Sequence, residues 1–264
     1  MFVLPNLFTL SSIFCSFLAI LSCLEQPTNT SIEKVGLLVL FSFLFDAIDG
    51  RIARLTKTQS AFGVELDSLA DVIAFGLVPA LLAYRHSLHL LGPFGVFIGF
   101  VFVACGAIRL ARFNVLSTTR SGTLKKPNKY FLGLPIPAAA VLAVSFIVVN
   151  GSINAQWHSD PHLIGGLMLL LSTLMVSTLR FRSLKSFKWS TRKFFIGALV
   201  LGIAGAVAIN SNLFLPLFVV MSSYVIFGIL EAAFDIVRRI KGKPSGLTES
   251  DTEENQTNDT KELA

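Results

Sequence analysis

The chain has 264 residues, 53% of them hydrophobic and 14% charged, with a formal net charge of +6 and a mean hydropathy of +0.70. Soluble domains carry nearer a quarter of their residues as charges, so a water-soluble enzyme is excluded and any chemistry belongs in or beside a membrane. The three cysteines, Cys15, Cys23 and Cys105, stand in apolar runs without Cys-x-x-Cys or Cys/His spacing, which argues against a zinc site or a disulfide framework and for small buried thiols.

A membrane-spanning helix needs about 17–25 apolar residues. Candidate stretches follow one another at 4–24, 33–54, 65–87, 92–113, 133–151, 161–180, 194–210 and 213–236. They predict an all-α polytopic membrane helix bundle with about eight transmembrane helices. The first stretch begins beside Met1 without a basic flank and reads as a retained helix, not a cleaved signal. With the N-terminus in the cytoplasm, every Lys and Arg except Lys34 and Arg85 falls on the cytoplasmic side. Basic residues favour that side, so both termini are expected there. The long basic segments 117–130 and 180–193 read as this topology signal, and they would also attract anionic headgroups or a phosphate-bearing substrate. His86, His89, His158 and His162 fall at the opposite interface. From Pro244 the composition turns polar and acidic, which predicts a membrane domain over 1–243 and a disordered tail over 244–264.

Outside that tail half of the acidic residues crowd into one stretch, DAIDGRIARLTKTQSAFGVELDSLAD, from Asp46 to Asp71. Residues three or four apart share a helical face, which pairs Asp46 with Asp49 at the end of the second helix and Asp67 with Asp71 near the start of the third. The short polar turn between them folds the two faces together. Asp46 lies about 12 Å inward of Arg54 at 1.5 Å per residue, so the pocket is recessed into the cytoplasmic boundary. Converging carboxylates in a partly dehydrated place repel one another and call for a cation, and hard divalent ions with oxygen ligands supply it. The bland reading pairs these acids with Arg51, Arg54 and Lys57 at a solvated helix end. Ionisable groups within a membrane are costly, however, and mark function. Gly50 and Ala53 are small either for helix packing or to leave room for a ligand. Glu65 reads as a helix-start or surface residue.

The spacing Asp46-x2-Asp49-Gly50-x2-Ala53-Arg54-x8-Gly63-x3-Asp67-x3-Asp71 resembles, position for position, the signature of the CDP-alcohol phosphatidyltransferases. That resemblance implies a membrane enzyme that moves a phosphatidyl group from CDP-diacylglycerol to a small alcohol and releases CMP. It also implies two divalent cations, Mn²⁺ or Mg²⁺, with Asp46, Asp49 and Asp67 as ligands. Asp71 would approach the metals too and serve as the general base. Asp49, Gly50, Ala53, Arg54 and Gly63 match positions that bind CDP-diacylglycerol.

The acceptor must be read elsewhere. The fourth helix ends in CGAIRLARFNV, with Arg109 and Arg112 three apart and Asn114 just beyond. Two snorkelling anchors explain the arginines; so does a guanidinium site for an anion such as the carboxylate of serine or the phosphate of glycerol 3-phosphate. The segments PNLFTLSSIFCSFLAI (5–20), LDSLADVIAFGLVPA (66–80), RLARFNV (109–115) and YFLGLPIPAAA (130–140) look like their counterparts in membrane-embedded phosphatidylserine synthases. The resemblance implies L-serine as acceptor, with Arg109, Arg112 and Asn114 at its end of the pocket, and a homodimer in a prokaryotic cell membrane surrounded by its lipids, with no nucleic-acid partner. Ser68 and Phe75 either shape the pocket or pack helices. The alternatives are another acceptor, namely glycerol 3-phosphate, inositol phosphate or choline, and an ion-coupled transporter using the aspartates as a cation path.

Overall fold

A backbone surrounded by lipid must satisfy its own polar groups, which leaves helices as the form for long apolar runs. The computed structural model of the chain describes residues 3–25, 29–55, 60–117, 130–152, 160–177, 179–182 and 213–240, and these are helical almost throughout. The helix expected at 194–210 and the tail expected at 244–264 lie outside them.

Helices α1 (Val3–Leu24) and α2 (Asn29–Leu55) run against each other. Their contact is a seam of hydroxyls: Ser12 Oγ donates to the Ser42 carbonyl at 3.3 Å, Ser42 Oγ to the Ser12 carbonyl at 3.2 Å, and Ser16 Oγ lies 3.2 Å from Ser42 Oγ. Small hydroxyl residues let two helices approach closely and hydrogen-bond where water is excluded.

The third expected helix is built in three parts. Helix α3 (Ala61–Asp71) starts on Ser60, an extended N-cap whose hydroxyl accepts the Gly63 N–H at 3.0 Å. A π turn, Val72–Leu77, follows, closed by the Val78 N–H reaching back to the Ile73 carbonyl, and α4 (Val78–His86) continues the rod. Pro79 accounts for the wide turn, because proline has no N–H to donate and its ring clashes with the carbonyl four residues back. Gly76 in that turn faces Val103 of the next long helix, α5 (Pro93–Ser117).

Residues Tyr130–Leu132 (β1) and Arg180–Arg182 (β2) form a short antiparallel ribbon, with Phe131 opposite Phe181. The expectation of helices alone did not include it. Gly133 closes this corner at φ +79, where any Cβ would collide with the Met175 carbonyl. Helices α6 (Ile136–Ser152), α7 (Pro161–Val176) and α8 (Phe214–Ile240) complete the described bundle. The core gathers round α6, where Ala139, Ala140, Ala143 and Ile147 are buried with Phe75, Phe102, Met168 and Phe214.

The outside is apolar as well: Leu10, Phe14 and Phe17 of α1 and Phe97, Phe100 and Ile108 of α5 are exposed. Among the described residues three stretches are long and apolar enough to cross a membrane, Asn6–Leu24, Phe62–His86 and Pro93–Leu116, and α6, α7 and α8 contain shorter apolar helices. The protein is built for a lipid environment.

Candidate active site

The end of α2 and the start of α3 meet at their acids. Carboxylate oxygens of Asp46, Asp49 and Asp67 all lie within 4.8 Å of one another. Asp49 is 4% exposed, and Asp46 and Asp67 are half-buried. Asp71, one turn beyond Asp67, is close enough to interact electrostatically with Asp46, Asp67, Asp49 and Arg109. The helices thus bring three of the four expected acids together, with Asp71 one turn beyond.

Oxygens bound to one Mg²⁺ or Ca²⁺-sized ion at about 2.0–2.6 Å can be no more than about 4–5 Å apart. The three carboxylates meet that limit, and an all-oxygen donor set is what a hard divalent ion prefers. The residues present fit such an ion.

Two neighbours shape the cluster. Thr9 of α1 donates its hydroxyl proton to Asp49 Oδ2 at 2.8 Å, and the Gly50 backbone also hydrogen-bonds this carboxylate. At the mouth, a Cβ on Gly63 would stand 3.2 Å from Ser60 Oγ, so glycine leaves room for the capping hydroxyl of α3. Ala53 and Arg54 lie in the last turns of α2, and their side chains are outside the described structure.

The structure separates the acceptor candidates. Arg109 is 8% exposed, close enough to Asp71 to interact with it, and its Nε has no hydrogen-bond partner. Arg112 is only half-buried. Asn114 Nδ2 donates to Ser68 Oγ at 2.9 Å, and Ser68 Oγ donates to the Val64 carbonyl at 3.0 Å, so this pair ties α5 to α3. Phe75 is wholly buried and meets Phe43 edge-on at 6.3 Å, a packing role. Glu65 is exposed, as its place outside the signature implied.

Two residues near the site were not picked out by spacing. Thr9 shares a face with Ser12 and Ser16, a polar stripe that was legible in PNLFTLSSIFCS. Tyr224 of α8 is close enough to Arg109 to interact electrostatically, and its only sequence signal is the polar break SSY in an apolar helix.

A mainly helical membrane protein with acids converging from two adjacent helices matches the CDP-alcohol phosphatidyltransferase family over residues 2–179, and the chain belongs to that family. It is thus a transferase of phospholipid biosynthesis. It is 37% identical over 243 residues to the CDP-diacylglycerol–serine O-phosphatidyltransferase of Helicobacter pylori strain J99, a match covering 92% of this chain and 96% of that one. A protein of the same name from Methanocaldococcus jannaschii is 39% identical over 145 residues, 54% of this chain and 61% of its own. The archaetidylserine synthase of Methanothermobacter thermautotrophicus is 34% identical over 182 residues, 67% of this chain and 69% of its own. The likeness therefore extends beyond residues 5–140, into the last helices.

Proposed function

We propose that this protein transfers the phosphatidyl group of CDP-diacylglycerol to the hydroxyl of L-serine, giving phosphatidylserine and CMP. The convergence of Asp46, Asp49 and Asp67 beside Asp71 and the buried Arg109 carries the reading. The names of the relatives support serine, since two of them differ in lipid and share that word.

Asp46, Asp49 and Asp67, with Asp71 beside them, would hold two divalent cations, Mn²⁺ or Mg²⁺. Bound there, such ions neutralise the diphosphate, orient it for in-line displacement and stabilise the leaving oxygen. Gly50, Ala53, Arg54 and Gly63 bind the cytidine nucleotide and its phosphates alongside Asp49. Arg109 takes the serine carboxylate, because a buried guanidinium with an unused N–H offers what a planar anion needs. Arg112 and Asn114 border that end of the pocket, Asn114 chiefly by holding Ser68. Asp71 accepts the hydroxyl proton as the serine oxygen bonds to phosphorus and the bond from phosphorus to the CMP oxygen breaks.

The same reading places residues 1–243 in a prokaryotic cell membrane as eight spans, with both termini and the site on the cytoplasmic side, residues 244–264 as a disordered acidic tail, and two chains in a dimer. The sided distribution of Lys and Arg supports the orientation.

Purified protein supplied with CDP-diacylglycerol, Mn²⁺ or Mg²⁺ and a panel of alcohols tests the assignment through the identity of its lipid product. Phosphatidylserine with stoichiometric CMP is expected. CMP release with glycerol 3-phosphate, inositol phosphate or choline but not serine would replace the acceptor. Release with none of them would overturn the transferase reading and favour ion transport.

A further inference from the structure

Hydroxyl side chains within the described helices mostly return their proton to their own backbone. Ser11 donates to the Leu7 carbonyl at 2.9 Å, Ser16 to Ser12 at 2.8 Å, Ser68 to Val64 at 3.0 Å and Ser172 to Met168 at 2.7 Å. That local bond is the default for a hydroxyl on a helix. Thr9 also reaches across to a neighbouring helix: its hydroxyl donates from α1 to Asp49 Oδ2 on α2 at 2.8 Å, between residues that are both 4% exposed.

We propose that Thr9 is a positioning residue for the carboxylate cluster, fixing the Asp49 carboxyl group in the orientation that a divalent cation requires. The inference rests on the metal-binding reading of Asp46, Asp49 and Asp67. An ionised carboxylate has roughly four acceptor positions. Thr9 occupies one and the Gly50 backbone another, which leaves about half of them for a cation and holds the carboxyl plane from two helices at once. Without the hydroxyl, rotation about the Cβ–Cγ bond is opposed from one side only, and the oxygens of Asp49 lose their fixed spacing to those of Asp46 and Asp67. The repulsion among the three acids makes this hold necessary, because in the absence of a cation each carboxylate is pushed away from the point where all must meet. Partners that orient metal-ligating groups are typically worth 10–100-fold in metal affinity.

The role differs from that of the hydroxyl seam one and two turns further along α1. Ser12, Ser16 and Ser42 join the same two helices and touch none of the acids in the hydrogen bonds they make with one another. The seam therefore serves as a control for mere loosening of α1 from α2.

The test measures Mn²⁺ binding to the purified full-length protein by electron paramagnetic resonance, without substrate, in wild type, Thr9→Val, Thr9→Ser and Ser42→Ala. Valine keeps the branched shape and removes the donor; serine restores the donor. The expected result is a Kd raised about 10-fold or more in Thr9→Val, within about 3-fold of wild type in Thr9→Ser, and within about 2-fold in Ser42→Ala even if its thermal midpoint falls. Should Thr9→Val not be recovered folded, Thr9→Ala gives the same comparison. Wild-type affinity in the valine or alanine variant would overturn the positioning role while leaving the metal site intact. Equal weakening in Ser42→Ala would overturn it in favour of helix packing. Failure of wild type itself to bind Mn²⁺ would instead take down the metal reading and this inference with it.

Discussion

The two ends of the α1, α2 and α3–α4 layer treat charge in opposite ways. At one end Asp46, Asp49 and Asp67 bring like charges within 4.8 Å of one another, and a buried Arg109 stands by with its Nε unused. At the other, Arg85 near the end of α4 donates through Nη2 to the Glu25 carbonyl at 3.1 Å, beside Cys23, Ser22 and Ser31. The cavity there measures about 10 Å³, at the lower limit of what a single water occupies. Arg85 ties the end of α4 to the end of α1 through a backbone carbonyl, a role that packing alone explains. Several anions held together against their repulsion are an arrangement that folding alone would not select, and the difference separates a working end from a structural one.

The sharpest way to break the contrast is to take away the cation. Chelation with EDTA should abolish phosphatidyl transfer, and Mn²⁺ or Mg²⁺ should restore it, as followed by CMP release. Next in size, Asp71→Asn should lower turnover by about 10²–10⁴-fold, the usual worth of a positioned general base, while CDP-diacylglycerol still binds; full activity would remove Asp71 from the reaction. Replacing the buried cation comes third. Arg109→Ala should raise the KM for serine by about 10–100-fold, in line with about 1.5–3 kcal/mol for a hydrogen bond to a charged group, and should change kcat less. Arg109→Lys should recover only part of that loss, because an ammonium lacks the planar fork. The smallest effect belongs to the Arg85 end. Arg85→Met should leave activity within about 2-fold and lower the thermal midpoint by about 2–4 °C, the shift that about 1 kcal/mol produces in a protein of this size.

Spacing made the acids legible because three- and four-residue intervals fix a helical face whatever the rest of the fold does, and a short turn constrains how two such faces meet. It made Arg109 and Arg112 look equivalent; burial, which depends on the neighbouring helices, distinguishes them. Thr9 escaped notice because a hydroxyl in an apolar helix ordinarily serves its own backbone, and nothing in the local pattern reveals that Asp49 stands opposite. Tyr224 lies more than a hundred residues from Arg109 in the chain, and the meeting of α8 with α5 side chains is a tertiary fact that hydropathy does not encode. Two helix ends moved outward for a similar reason. The start expected at 33 became Asn29 and the end expected at 113 became Ser117, since polar residues past the apolar run continue the helix without adding hydropathy. Strands three residues long are too short to display alternation, so the ribbon had no readable period.

The wide turn at Val72–Leu77 also sets a phase. A π turn holds one residue more than an α-helical turn, and one residue advances a helix by about 100°. Side chains on either side of it therefore follow two clocks. Asp67 and Asp71 are timed to meet the end of α2, whereas Ala80 and Ala83, 5% and 0% exposed, are timed to the packed interior. An uninterrupted helix could keep only one of these appointments, so removing a single residue between Asp71 and Pro79 would rotate the acids away from their partners without altering any of them.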